Sequence, residues 1–308
     1  MSVTIRYVAT QLVVIGYPDR LVADHRALIE SATEAGFTVD FVSPSSLSIA
    51  VGADGTRVLV NGRHRVPDVV LPRGVNRPWP FVAQILDAWE NDGVRVVPSR
   101  AAADLCADKL VTSMVLARHG VPVLPTIGVA PGPDNVIDGL EGRVVAKPAR
   151  ASKGRGVEMF ATPTEAQTSL RESRSLRAGM VDHHVVQPAA TGAGIDYRVV
   201  IADRGNHPNV VAVTRRIAPS GDFVTNRPGS IVEDVHDPES VVPEICAVAI
   251  DAVRALGLAF GGVDVIEHDG RPVILEVNAW PGLAAEKRGR QIADALVGVA
   301  RSVLSSRS

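Results

Sequence analysis

A chain of 308 residues is long enough to bury a large core and to divide into two or three domains. Apolar residues make up 46% and charged residues 21%, which excludes a disordered or fibrous chain and fits a soluble globular one. A formal net charge of −2 gives no global attraction to nucleic acid or to an anionic membrane, so neither is an expected partner.

Met1–Ile15 has no basic stretch followed by an apolar core and a small-residue cleavage site, so a secretion signal is not expected. No apolar run reaches the roughly 18 residues of a membrane span. Gln11–Gly16 reads as a buried strand. Asp19 or Asp24 caps the next helix, which carries Leu28, Ile29 and Ala32 at helical spacing and stops at Gly36. Phe37–Val42 is a second strand. Arg57–Val60 and His64–Val66 flank Asn61-Gly62, a type I′ hairpin signal. A strand over Asp68–Arg73, a helix over Trp79–Asn91 and a strand over Arg95–Val97 complete an α/β alternation that predicts a parallel, helix-covered sheet. The first β-α turn lacks Gly-x-Gly-x-x-Gly, so a dinucleotide fingerprint is absent. Arg73 stands at the C-terminal end of its strand, where such sheets place ligands, and reads either as a ligand residue or as a surface arginine.

Pro98-Ser99 is the expected domain boundary. One helix is predicted over Ala101–His119, ended by Gly120 and Pro122 and carrying Asp108-Lys109-Leu110. Cys106, within it, and Cys246 are the only cysteines; they imply no disulfide framework and fit a reducing, cytoplasmic setting.

Gly142–Pro148 is a strand with one lysine, Lys147, in an apolar run, and Pro148 is tolerated only at its end. The loop Ala149–Val157 follows, holding Arg150, Ser152, Lys153, Gly154, Arg155 and Gly156. It reads as a disordered basic loop or as a flap whose backbone N–H groups and cations gather around phosphates. It is not a Walker loop, because no Gly-Lys-Ser/Thr opens a helix. Thr162-Pro163-Thr164-Glu165 is a capping box. His184–Gln187 is a strand running into Pro188-Ala189. In such a link Pro188 can offer a purine its carbonyl and Ala189 its N–H; the reverse is impossible because proline has no donor. Asp196-Tyr197-Arg198 opens the next strand, Arg215-Arg216 ends another, and Gly221-Asp222-Phe223-Val224 leads to Asn226.

Two apolar runs, Gly261–Ile266 and Val273–Asn278, flank His268–Arg271 and read as a β-hairpin. Asp264, Glu276 and Asn278 are embedded in them. Two buried carboxylates need a positive partner, and two carboxylates with an amide suit a hard cation, Mg²⁺ above all. Taken alone, the hairpin reads equally as one whose inward polar groups bond backbone. Glu276 and Asn278 share a strand face. Asp264 joins them only if it lies opposite Glu276, which predicts an odd loop such as Asp269-Gly270-Arg271; a two-residue Asp-Gly turn would put Asp264 on the other face.

Together these pieces resemble the ATP-grasp superfamily, and most closely its RimK-like carboxylate–amine ligases. The resemblance rests on Asp108-Lys109-Leu110, Val145–Pro148 with the flap to Val157, Val186-Gln187, Asp196-Tyr197-Arg198, Arg215-Arg216, Gly221-Asp222-Phe223 with Asn226, Gly262-Val263-Asp264, and Leu275–Asn278 with Pro281-Gly282. It runs from about residue 98 to the end. The N-terminal part is similar, more loosely, to the family's preceding Rossmann-like α/β domain, chiefly through Pro72-Arg73.

The resemblance implies an N-terminal pre-ATP-grasp domain over 1–98, a central ATP-grasp subdomain with the flap over 99–184, and a C-terminal subdomain with the metal site over 185–308. It implies that ATP lies between α+β lobes, with Lys109 and Lys147 on its phosphates. Ser152, Gly154 and Gly156 of the flap, together with Asp196, join the nucleotide site, and Gln187, Pro188 and Ala189 hold adenine. Asp264, Glu276 and Asn278 would hold two Mg²⁺ ions, with Mn²⁺ as a possible substitute. Arg198 and Arg215 would stabilise an acylphosphate formed on a substrate carboxylate before an amine attacks it. The implied substrates are small acids and amines, amino acids or peptides, and related enzymes are often homo-oligomers. A small-molecule kinase or a non-catalytic nucleotide-binding module is the competing reading. Val224 replaces an arginine common after Gly-Asp-Phe, and Trp280 replaces a small residue. With Arg73 and Asn226, Trp280 is a candidate determinant of the substrate, by stacking or by packing.

Overall fold

A computed structural model describes residues 10–17, 21–53, 55–75, 79–130, 136–151, 154–172, 183–205, 207–283 and 288–306. Residues 1–101, 202–211 and 280–308 form one compact unit, and 102–201 with 212–279 form another.

In the first unit, β1 (Gln11–Gly16), β2 (Thr38–Val42), β6 (Val69–Arg73) and β7 (Arg95–Val96) form a four-stranded sheet in the order β2-β1-β6-β7. All its pairings are parallel, as the alternation predicts. Leu12, Val14, Ile15, Val69, Val70 and Leu71 are fully buried, the reason such strands read as continuous apolar runs. β3 (Leu47–Gly52), β4 (Gly55–Val60) and β5 (Arg63–His64) make a separate three-stranded sheet. Its second turn is the expected two-residue Asn61-Gly62, both at positive φ (50° and 74°). Helices α1 (Ala23–Glu34) and α2 (Trp79–Asn91) accompany the sheets, and α8 (Gly289–Ser305) packs along α1. Residues 280–308 therefore group with the N-terminal residues.

In the second unit, α4 (Lys109–Arg118), β8 (Ile127–Val129), β9 (Val144–Pro148), β10 (Glu158–Phe160), α5 (Pro163–Glu172) and β11 (His184–Pro188) build one layer, with α3 (Arg100–Cys106) leading into it. Its sheet runs β10-β9-β11-β8 and is antiparallel throughout. The helix predicted over Ala101–His119 is in fact two. Asp108 takes an extended backbone (φ −132°, ψ 119°) and becomes the N-cap of α4, because its short carboxylate satisfies helix N–H groups that a continuing helix would not leave open. A five-stranded sheet follows, in the order β14-β13-β12-β15-β16, from β12 (Ile195–Asp203), β13 (Pro208–Ile217), β14 (Ile231–Asp234), β15 (Phe260–His268) and β16 (Arg271–Asn278). The short α6 (Pro238–Val241) leads to α7 (Pro243–Ala255), which packs on β15 and β16.

The β15–β16 hairpin corrects the predicted turn and keeps the predicted pairing. His268 pairs with Arg271 across Asp269-Gly270, a two-residue turn with φ 51° and 73°, and not an odd loop. Pairing slips by one between Asp264 and Val265: Val265 faces Ile274, whereas Asp264 faces Glu276. Leu275 is the extra residue of a β-bulge. The parity that an odd loop would have supplied arises inside the strand instead. Among the described residues no helix is long and apolar enough to cross a membrane.

Candidate active site

Within the second unit, one cavity brings together Lys109, Lys147, Gln187, Asp196, Asp264 and Glu276. Its apolar wall includes Leu124, Ala190, Ile266 and Leu275. Flap residues Gly154 and Arg155 and loop residues Phe223–Asn226 also line it.

The acidic side follows from the hairpin. Asp264 and Glu276 face each other, and Gly262 faces Asn278. Asp264 is 2% exposed. Arg198 holds it with Nε on Oδ1 and with Nη2 2.9 Å from Oδ2, and Arg216 Nη2 lies 3.1 Å from Oδ1. Burial opposes its charge, but the two guanidinium groups hold the carboxyl below the usual carboxylate range. Glu276 Oε1 lies 3.4 Å from Lys109 Nζ. Asn278 Nδ2 is buried without a hydrogen-bond partner. Among the described residues no cluster of three or more His, Cys, Asp and Glu could hold a metal. Two carboxylates and an amide, from the paired strands β15 and β16, fit a hard divalent cation in donor chemistry.

The cationic side comes from β9 and α4. Lys147 lies on β9 and is buried. Burial pushes its ammonium down to about 8, against the pull of Glu276 and Asp264 and with that of Lys109. Lys109 is the first residue of α4, and its Nζ donates to the Ala151 carbonyl at 2.5 Å. Gly154 and Gly156 both have positive φ (64° and 67°). A Cβ at Gly154 would meet Val224 and Asn226 at 2.7 and 2.8 Å, so glycine is needed for the flap to lie against that loop. Ser152 and Lys153 lie outside the described residues. Gln187 anchors its Nε2 on Thr126 Oγ1 at 2.8 Å.

Several expected residues stand elsewhere. Arg215 does not enter the cavity: it pairs with Glu233 of β14 at 3.0 Å, partly exposed. Arg216 enters instead, giving two 2.7 Å hydrogen bonds to Asp196 and reaching Asp264. Neighbouring strand residues point to opposite faces, so only one of the pair can enter. Parity is not readable from the residues, because Val211–Thr214 are all buried and show no alternation. Thr225, also missed, donates to Asp196 Oδ2 at 2.5 Å. Ala189 is corrected too: its N–H is spent on the Arg143 carbonyl at 2.8 Å, and of the link only Pro188 and Ala190 line the cavity. Within the first unit Arg73 is no surface arginine. It is 3% exposed, donates to the Pro281 carbonyl and lies 3.7 Å from Asp24, while its Nε has no partner. Burial pushes its guanidinium down to about 10. Trp280 packs against Trp79 with ring centroids 4.9 Å apart, and its Nε1 is buried without a partner. Burial, with the charge of Glu276, pushes the Cys106 thiol up to about 12, so it supplies no thiolate nucleophile.

Residues 106–299 match the RimK-like ATP-grasp domain family. A probable alpha-L-glutamate ligase of Sodalis glossinidius (strain morsitans) is 32% identical over 266 residues, covering 84% of this chain and 85% of its own. A ribosomal protein bS6–L-glutamate ligase of Salmonella paratyphi B is 30% identical over 265 residues, covering 84% of each. Among solved structures, the RimK domain ATP-grasp protein of Sphaerobacter thermophilus superposes with a TM-score of 0.65 at 20% identity, over 95% of this chain and 100% of that one.

Proposed function

Because the chain belongs to the RimK-like ATP-grasp family, we propose that its cavity joins a carboxylate to an amine at the expense of ATP. The protein is an ATP-dependent ligase that forms C–N bonds. The observation that carries this reading is the facing acid pair Asp264 and Glu276 in one cavity with Lys109 and Lys147. Such a pairing of cationic and cation-binding groups suits a triphosphate, whose charge must be cancelled before an anionic nucleophile can approach.

In this reading Lys109 and Lys147 take the phosphates, Gly154 and Gly156 shape the flap over them, and Gln187 and Pro188 border the adenine. A substrate carboxylate oxygen attacks the γ-phosphorus and the bond to ADP breaks. The amine nitrogen then attacks the acyl carbon, the C–O bond breaks, phosphate leaves and the amine gives up a proton. Arg198 and Arg216 supply fixed donors for the negative charge on the acylphosphate, and Asp196 with Thr225 orients Arg216. Asp264, Glu276 and Asn278 would hold Mg²⁺, as two ions and with Mn²⁺ as a substitute. The cation, when bound, neutralises phosphate charge.

The acid and the amine are amino acids or peptides, in keeping with relatives named as glutamate ligases. Val224 and Asn226 in the cavity, and Arg73 and Trp280 in the first unit, are the proposed determinants of which ones. A cytoplasmic location and a homo-oligomeric state complete the proposal. The test is a turnover assay with paired acids and amines. ADP and phosphate must form only when both are present, and hydroxylamine must trap a hydroxamate. Phosphate transfer without hydroxamate would identify a kinase instead.

The buried Lys147 sets a pH dependence. Its ammonium is charged below about 8 and neutral above, so nucleotide affinity of the free enzyme will fall as pH rises through that value. Titration calorimetry with ATP between pH 7 and 9 checks it. Lys147→Arg, which stays charged, will flatten the profile.

A further inference from the structure

Asp108 is the most connected buried acid that the reaction above leaves unused. It is 2% exposed. Its Oδ1 accepts from the N–H groups of Leu110 (3.0 Å) and Val111 (3.4 Å), which caps α4. Its Oδ2 turns the other way and accepts from Arg150 Nε at 3.1 Å, with His183 Nε2 3.3 Å from the same oxygen. Arg150 follows β9 at the root of the flap. Backbone bonds close the unit: Lys109 N–H donates to the Ala149 carbonyl and Ala149 N–H to the His183 carbonyl, both at 3.1 Å. Lys109 Nζ then reaches the Ala151 carbonyl, two residues further along.

We infer that Asp108 is a positioning residue for the phosphate site, and that Arg150 is its tether and not a phosphate ligand. One oxygen fixes the helix end that presents Lys109. The other fixes the strand end from which the flap departs. Lys109 and the flap root are thereby set in one register before any nucleotide arrives, which lowers the ordering needed on binding. The inference rests on the ATP-binding reading above.

Asparagine separates the two duties. It caps a helix as well as aspartate, so Asp108→Asn keeps α4. With Oδ1 on the helix, its Nδ2 then points at Arg150 and His183, a donor where they need an acceptor. The experiment is calorimetric ATP affinity on the full chain, with thermal melting and hydrogen exchange of the amides of Ala149–Ala151 in the free protein. Expected for Asp108→Asn are a melting point near that of the wild type, faster exchange at the flap root and ATP affinity down about fivefold. Arg150→Ala will match it, the double variant will be no worse than either single one, and Arg150→Lys will recover most of the loss. Additive losses would mean that Arg150 acts on the nucleotide directly and would overturn the inference, as would unchanged affinity in Asp108→Asn. If Asp108→Asn does not fold, the Arg150 pair decides: equal affinity in Arg150→Ala and wild type overturns it. A wild type that binds no ATP refutes the functional proposal as well, whereas wild-type binding with unaffected variants refutes the tether alone.

Discussion

Arg216→Ala will cut turnover sharply and weaken the fold, whereas Arg215→Ala will do neither. Arg216 neutralises two buried carboxylates, Asp196 through two 2.7 Å hydrogen bonds and Asp264 at 3.1 Å. Burial works against its charge, and the acids outweigh that and raise its pKa. Without it, Asp264 keeps Arg198, but Asp196 keeps only the hydroxyl of Thr225. Removing one partner of a buried pair costs about 3–5 kcal/mol of stability. In the proposed reaction Arg216 is a fixed donor to the acylphosphate, and losing it takes about 10²–10³-fold from kcat. Arg215 shares an exposed pair with Glu233, worth about 0–1 kcal/mol. Denaturant midpoints and ADP release on both variants measure the difference, and Arg216→Lys, which keeps the charge but loses the planar two-pronged contact, will fall between. Comparable losses at both positions would refute the assignment.

Glu276→Ala will abolish ligation and leave the fold nearly intact. Glu276 is only half-buried; its removal takes a counter-charge from Lys109, which stays close to the Ala151 carbonyl, and from the buried Lys147, which keeps the pull of Asp264. In the proposed site the loss falls on the cation, because Glu276 is one of the two carboxylates proposed to hold it. Turnover will drop by at least about 10³-fold. A readout independent of catalysis is Mn²⁺ binding in the presence of ADP, followed by electron paramagnetic resonance. Binding will be lost in the variant while its melting curve stays close to that of the wild type. A variant that still binds Mn²⁺ and still turns over would remove Glu276 from the metal site.

Much of this site was legible because its signals are local. An acid in an apolar run, a lysine in a buried strand and a glycine in a basic loop each violate the pattern around them, and Asp264, Lys147 and Gly154 line one cavity. The parallel sheet was legible from apolar runs that alternate with helices. The failures share a cause as well. Arg215 and Arg216 are not separable in sequence because β13 is buried on both faces at Val211–Thr214, which erases the alternation from which parity is read. The break at Asp108 is hidden in sequence because a cap inside a run of helix formers reads like any other polar residue; its partners Arg150 and His183 arrive from far along the chain. Arg73 reads in sequence as a ligand residue or a surface arginine, and its burial is not legible there because strand position says nothing of what covers it. Ala189 was assigned to adenine because a free N–H in sequence carries no record of the Arg143 carbonyl that claims it.

The extra residue at Leu275 has a wider consequence. It divides the hairpin into two stretches of opposite phase, one governed by Asp269-Gly270 and the other by the bulge. Editing the connection in ways that keep His268 opposite Arg271 leaves Asp264 opposite Glu276, so the outer end is free to drift in length and composition. An insertion or deletion of one residue at the bulge instead inverts the carboxylate wall in a single step. The slip also seats Leu275 and Glu276 side by side on the cavity, so one bend in one strand supplies both an apolar surface and a carboxylate to the same space. Chemistry and connectivity are insulated from each other within eighteen residues of chain, Gly261–Asn278.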